Sequence, residues 1–156
     1  MPSWLWLVPV LFVGACGKAP EAAPPFKTVL DIKQTMALVI EPASDVVWDS
    51  AGQIVSEDGV EDLAPTTEEG WKRVEHSAAV LMEAGNLLML DERSQGRQDW
   101  NAISTGLIDA GERALSAAQA KDADALFESG AAIYGVCTSC HQLYWKDGGR
   151  IISPDE

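Results

Sequence analysis

The chain has 156 residues and carries 11 Lys and Arg against 24 Asp and Glu, a net charge of −13 that argues against nucleic-acid binding and for basic partners. Its 47% hydrophobic content exceeds what disordered chains carry, and its length suits one packed domain. Three cysteines, Cys16, Cys137 and Cys140, are too few for a disulfide scaffold of this size.

Residues 3–15 are uncharged and mostly apolar, a run shorter than the about 20 residues of a spanning helix, so they read as the core of an export signal. No Lys or Arg precedes the run. It ends in Val13-Gly14-Ala15-Cys16, which resembles the lipobox of bacterial lipoproteins. That resemblance implies cleavage after residue 15 and acylation of Cys16. The alternative is an ordinary secretory signal cut nearby. Residues 17–25 hold three of the eight prolines and no large apolar side chain, the composition of an extended tether. The expected organisation is a signal peptide at 1–15, a lipidated cysteine and tether at 16–26, a helical domain at 27–147 and a tail at 148–156.

Val29, Ile32, Met36 and Val39 form an apolar stripe before Pro42, and Ala43, Val47, Ser50 and Ile54 continue its phase beyond it. The spacing predicts one helix bent at the proline and ended by the acidic stretch 57–62. Trp71, Val74, Ala78, Leu81, Gly85 and Leu88 define a second helix over about 67–90, with Thr66 and Glu69 placed as a capping box. Residues 93–98 read as a loop, from which Arg93 and Arg97 can pair with the propionate groups of a bound cofactor or simply face solvent. Asp99 can cap a third helix through Trp100, Ile103, Leu107, Ala110, Ala114 and Ala117. Leu126, Gly130, Ile133, Cys137, Cys140 and Tyr144 mark the inward stripe of a fourth, ending near Lys146. Four helices with short loops fit an all-α, antiparallel up-down-up-down bundle.

Cys137-Thr138-Ser139-Cys140-His141 is a C-x-x-C-H sequence, the attachment pattern of haem c. Cysteines at i and i+3 of a helix stand about 5–6 Å apart on one face, which suits thioether bonds to one porphyrin edge. His141, next in line, is the proximal ligand. A zinc site needs a fourth ligand, and the other histidine, His76, is remote in sequence and off the inward stripe. A thioredoxin-like pair expects a strand before its helix. A plain disulfide leaves an inward His141 unexplained.

A four-helix domain with its C-x-x-C-H in the last helix resembles the class II cytochromes c, meaning cytochrome c-prime and its low-spin, methionine-ligated relatives. The resemblance spans about residues 27–147. Tyr144 stands where the family places an aromatic, and Trp145 where it places a basic residue, Lys146 coming one position late. The resemblance implies a distal side built by the first helix, whose lone methionine, Met36, is the candidate sixth ligand or an ordinary core residue. Met82 and Met89 read as packing residues.

No nucleophile or acid–base pair adjoins the cluster, so the expected function is electron transfer rather than catalysis. The reading is a periplasmic, lipid-anchored cytochrome c with one covalent haem, serving a redox partner with a basic docking face, as a monomer or a homodimer. The alternative is a five-coordinate haem protein that binds nitric oxide or carbon monoxide, with Met36 only covering the iron.

Overall fold

The computed structural model describes residues 1, 26–146 and 150–151. The expected signal segment, Cys16 and nearly all of the tether lie outside the described residues, as does most of the expected tail. What is described is mostly helical.

The first helical segment is three pieces in one run: α1 (Ile32–Thr35), a π-helical turn (Met36–Ile40) and α2 (Glu41–Trp48). Asp31 caps it, accepting from the Gln34 backbone N–H while the Gln34 side chain accepts from the Asp31 N–H. The π turn lies just before Pro42, and the Glu41 N–H donates to the Met36 carbonyl. Proline has no N–H to donate, and its ring clashes with the carbonyl four residues back. Opening the turn by one residue relieves that clash, so the expected bend takes the form of a wide turn that Met36 begins.

The helix stops at Trp48, short of the expected Ile54. Residues Gln53–Ser56 (β1) and Gly59–Asp62 (β2) instead form an antiparallel hairpin with Val55 opposite Val60. Gly52 at φ +87° breaks the helical phase, and the β-branched Ile54 and Val55 favour a pleated ribbon. Val29, expected on the helical stripe, precedes the helix and is exposed.

Helix α3 (Glu68–Leu88) is capped by Thr67, whose hydroxyl accepts from the Gly70 N–H, rather than by Thr66. A short helix α4 (Asp91–Ser94) replaces the first part of the expected loop, ending at Gln95 in the left-handed region. Helix α5 (Gln98–Ala120) starts without a side-chain cap; Asp99 accepts instead from the adjoining Trp100 N–H. Helix α6 (Ala123–Tyr144), capped by Asp122, ends close to the expected point. Two short strands follow it, β3 (Trp145–Lys146) and β4 (Arg150–Ile151), paired where a plain tail was expected.

The strongest packing is between α3 and α5, followed by α5 and α6; α2 lies against both α3 and α6. Small residues bring α3 and α5 together. A Cβ on Gly85 would stand 2.5 Å from Ile108 Cγ1 and 2.8 Å from the Ser104 carbonyl oxygen. Val74, Ala78, Leu81, Ala110, Ala114, Leu126 and Ile133 are fully enclosed, so the three long amphipathic stripes meet in one core. Trp71 and Trp100, which open two of these stripes, are also buried.

The direction of the first segment is fixed at both ends. Arg93, 5% exposed, donates to the Leu87 carbonyl at 2.6 Å and to the Leu30 carbonyl at 2.9 Å. Arg97, one turn on, stacks over Tyr144. At the other end Trp48 Nε1 donates to the Gly130 carbonyl at 3.0 Å. The beginning of the first segment therefore shares an end of the molecule with the close of α6, and the two run in opposite directions.

Candidate functional site

Cys137, Cys140 and His141 lie on the last turns of α6. Helical periodicity puts Tyr134, Cys137 and His141 on one stripe and Cys137, Cys140 and Tyr144 on the adjoining one. The residues between the cysteines hold the helix regular. The Thr138 hydroxyl donates to the Tyr134 carbonyl and the Ser139 hydroxyl to the Gly135 carbonyl, both at 2.8 Å, so neither competes with the helical ladder for an N–H.

Both thiols are free, half-buried and packed against the core. Burial pushes the Cys137 thiol above its ordinary value. For Cys140, burial and then the neighbouring Cys137 push it up to about 11, against a smaller opposing pull from the Arg97 charge. His141 is half-buried, and that burial holds its imidazole below the ordinary histidine value, favouring the uncharged ring, the form with a lone pair to give. Its ring stands edge-on to Trp145, with centroids 4.6 Å apart.

A second cluster flanks Cys140. Trp100 and Tyr144 meet edge-to-face at 4.9 Å, and the Arg97 guanidinium lies 4.6 Å from the centroid of the first and 4.9 Å from that of the second. Arg97 is fixed there by donating to the Ser94 and Arg93 carbonyls. Trp100 Nε1 donates to the Leu88 carbonyl at 2.7 Å. The Tyr144 hydroxyl is buried, and that burial, with the nearby Asp99 carboxylate adding to it, pushes it up to about 12. Neither arginine is a solvated loop residue: Arg93 is structural, and Arg97 is a cation beside the cysteine pair.

Met36 is half-buried against the core, at the start of the π turn. That turn packs on α3 and α2, and has no more than marginal contact with α6. Met36 thus shares an end of the molecule with Cys140 and His141. His76 is exposed. Met82 packs over Gly111, and Met89 Sδ accepts a long contact from the Thr105 hydroxyl.

Among the described residues, no three His, Cys, Asp or Glu side chains converge to hold a metal ion. No helix of the described residues is long and apolar enough to cross a membrane. No protein-family model, curated protein or solved structure matches the chain.

Three features escaped sequence reasoning. The π turn had a signal in Pro42, which announced a distortion but not its form. The Arg97, Trp100 and Tyr144 stack had none, because the tyrosine lies far from the other two in sequence. An aromatic groove between α2 and α6, described below, also depends on two segments remote from each other.

Proposed function

We propose that the chain is a c-type cytochrome, an antiparallel four-helix domain whose last helix holds one haem, and that it carries single electrons between redox proteins. The observation that carries this reading is the pair of free, half-buried thiols one turn apart on α6, with the His141 imidazole next in sequence. The residues present fit the group. Two thiols on one helical face can take a porphyrin edge by thioether bonds, and the ligand that follows them serves the iron from a separate position. A compact zinc site would instead need converging ligands. The antiparallel run of the first segment sets Met36 at the same end as the cysteine cluster.

When bound, the haem supplies a one-electron iron couple. The chain's own residues do the rest. Cys137 and Cys140 would hold the group irreversibly, which matters for a protein that matures after export. His141 donates from its uncharged ring. Leu81, Leu88, Leu107 and Ile133 exclude water from the interior. Met36 is proposed as the sixth ligand, its thioether favouring the ferrous state. Cys16 is proposed to carry the lipid that keeps the protein on a periplasmic membrane surface, since dual acylation gives lasting attachment.

The test is haem staining of the matured wild-type protein on a denaturing gel, with a pyridine haemochrome spectrum. Stain that stays with the polypeptide, is lost when Cys137 and Cys140 are both replaced by Ala, and is weak or absent in His141→Ala, supports the reading. Wild-type protein without covalent haem overturns it.

A further inference from the structure

A shallow groove of about 310 Å³ runs between α2 and α6, lined by Trp48, Ala51, Phe127, Gly130, Ala131 and Tyr134. Its walls are aromatic and exposed, with Phe127 at 54% and Tyr134 at 64% of full exposure. It is also built to stay open. Trp48 is pinned by its bond to the Gly130 carbonyl and meets Tyr134 edge-to-face at 6.4 Å, while the Phe127 ring lies over Gly52. Large aromatics left in water around a concave floor are what interface anchors look like, because they release much apolar area at little entropic cost.

The charge around it is of one sign. The two stretches that form this face, residues 41–64 and 123–144, contain nine carboxylates and no Lys or Arg. Asp45 on α2 and Asp49 just past its end flank Trp48, and Asp124 and Glu128 flank Phe127 on α6; all four are exposed. Lys121, just before α6, is paired with Glu68 on α3. A second copy of this chain would bring like charge against like charge, which opposes association. A protein with an apolar projection ringed by lysines and arginines has the complementary form.

We infer that the Trp48–Tyr134 groove is the docking site for a basic protein partner, which seats an apolar side chain between the aromatics and sets its cations against the surrounding carboxylates. The identification of that partner as a redox protein rests on the cytochrome reading. Tyr134 is one turn before Cys137 on the same stripe of α6, so a partner seated in the groove stands next to the proposed haem attachment.

The experiment uses the full haem-bearing chain and a synthetic peptide with a central Leu-Trp-Leu flanked by lysines on both sides. Two control peptides carry Gly-Ser-Gly at the centre or glutamates at the flanks. The expected result is binding of the first peptide that weakens as salt rises, with both controls much poorer. Tyr134→Ser and Asp45→Lys/Asp49→Lys should each weaken it by about ten-fold, the loss of one anchor or its charge frame. Circular-dichroism melts of the variants confirm that the exposed substitutions leave the fold intact. Equal binding of the Gly-Ser-Gly peptide, or unchanged binding by both variants, overturns the inference. So does concentration-dependent self-association in sedimentation that Tyr134→Ser abolishes, which would make a second copy the occupant. A haem-bearing protein that ignores the peptide rejects the groove and leaves the cytochrome reading standing; a haemless protein that binds it does the reverse.

Discussion

Met36 and Cys140 are the residues whose chemistry depends most on their surroundings. Met36→Leu nearly conserves volume, so its packing cost should stay under about 1.5 kcal/mol while the sulfur is lost. On the proposed reading, the wild-type protein is low-spin and slow to bind carbon monoxide, and the variant is high-spin with an open site. Absorption spectra of both, with and without carbon monoxide, check this. A wild-type protein that is already high-spin makes Met36 a core residue and moves the gas-binding function ahead. Cys140 tests the environment before attachment. Burial favours the uncharged thiol, so the thiolate, which is the nucleophile, forms only near pH 11. In the haem-free chain, iodoacetamide at pH 8 should modify Cys140 about two orders of magnitude more slowly than the urea-unfolded chain. The rate should climb about ten-fold per pH unit until the thiol titrates. Mass spectrometry of quenched samples measures it, and parity with the unfolded control would show that α6 does not shield the thiol.

At the level of elements, the close contact of α3 with α5 positions everything else. Gly85 sits where a methyl group would meet both a side chain and the rigid Ser104 carbonyl. Gly85→Ala should therefore destabilise the domain, although alanine is the better helix former, by about 1–3 kcal/mol through forced separation of the helices. The expected drop in melting temperature is about 2–4 °C for each kcal/mol. A variant at least as stable as wild type would mean that the two helices yield easily at this point. The first segment is the opposite kind of element. Its packing is lighter, its π turn is imposed by Pro42, and it is held at its start by the Arg93 bond to the Leu30 carbonyl. A distal ligand carried on such a segment is positioned by a loose turn, not by a tight seam.

For the whole molecule, the uneven charge is the governing feature. Part of the overall −13 falls on residues 41–64 and 123–144, the two stretches that supply the aromatic groove, which hold nine carboxylates and no Lys or Arg. Attachment by Cys16 would confine that face to the neighbourhood of a membrane, through a tether rich in proline. Cys16→Ala should stay unprocessed and fail to incorporate labelled palmitate, whereas wild type takes up label. Equal labelling of the two would reject the lipid anchor.

The sequence by itself determined the long helices, because each amphipathic stripe is a local property that repeats along one segment: Trp71 to Leu88, Trp100 to Ala117 and Leu126 to Tyr144 all lie on helices as expected. It also determined the candidate attachment cluster, since Cys137, Cys140 and His141 are neighbours along the chain and share one turn wherever α6 goes. It misjudged residues 49–62, where a continuing apolar phase concealed the break at Gly52 and the β-branched run that follows. Only the tertiary structure decided that Arg93 is buried as a clamp, that Arg97 lies between Trp100 and Tyr144 beside Cys140, and that Met36 shares an end with His141 but packs on α3. It alone brought Trp48 to Tyr134 and left the groove beside them open. Each of these joins residues far apart in the chain, and such contacts are set by how the helices pack and where their ends meet, which no local pattern encodes.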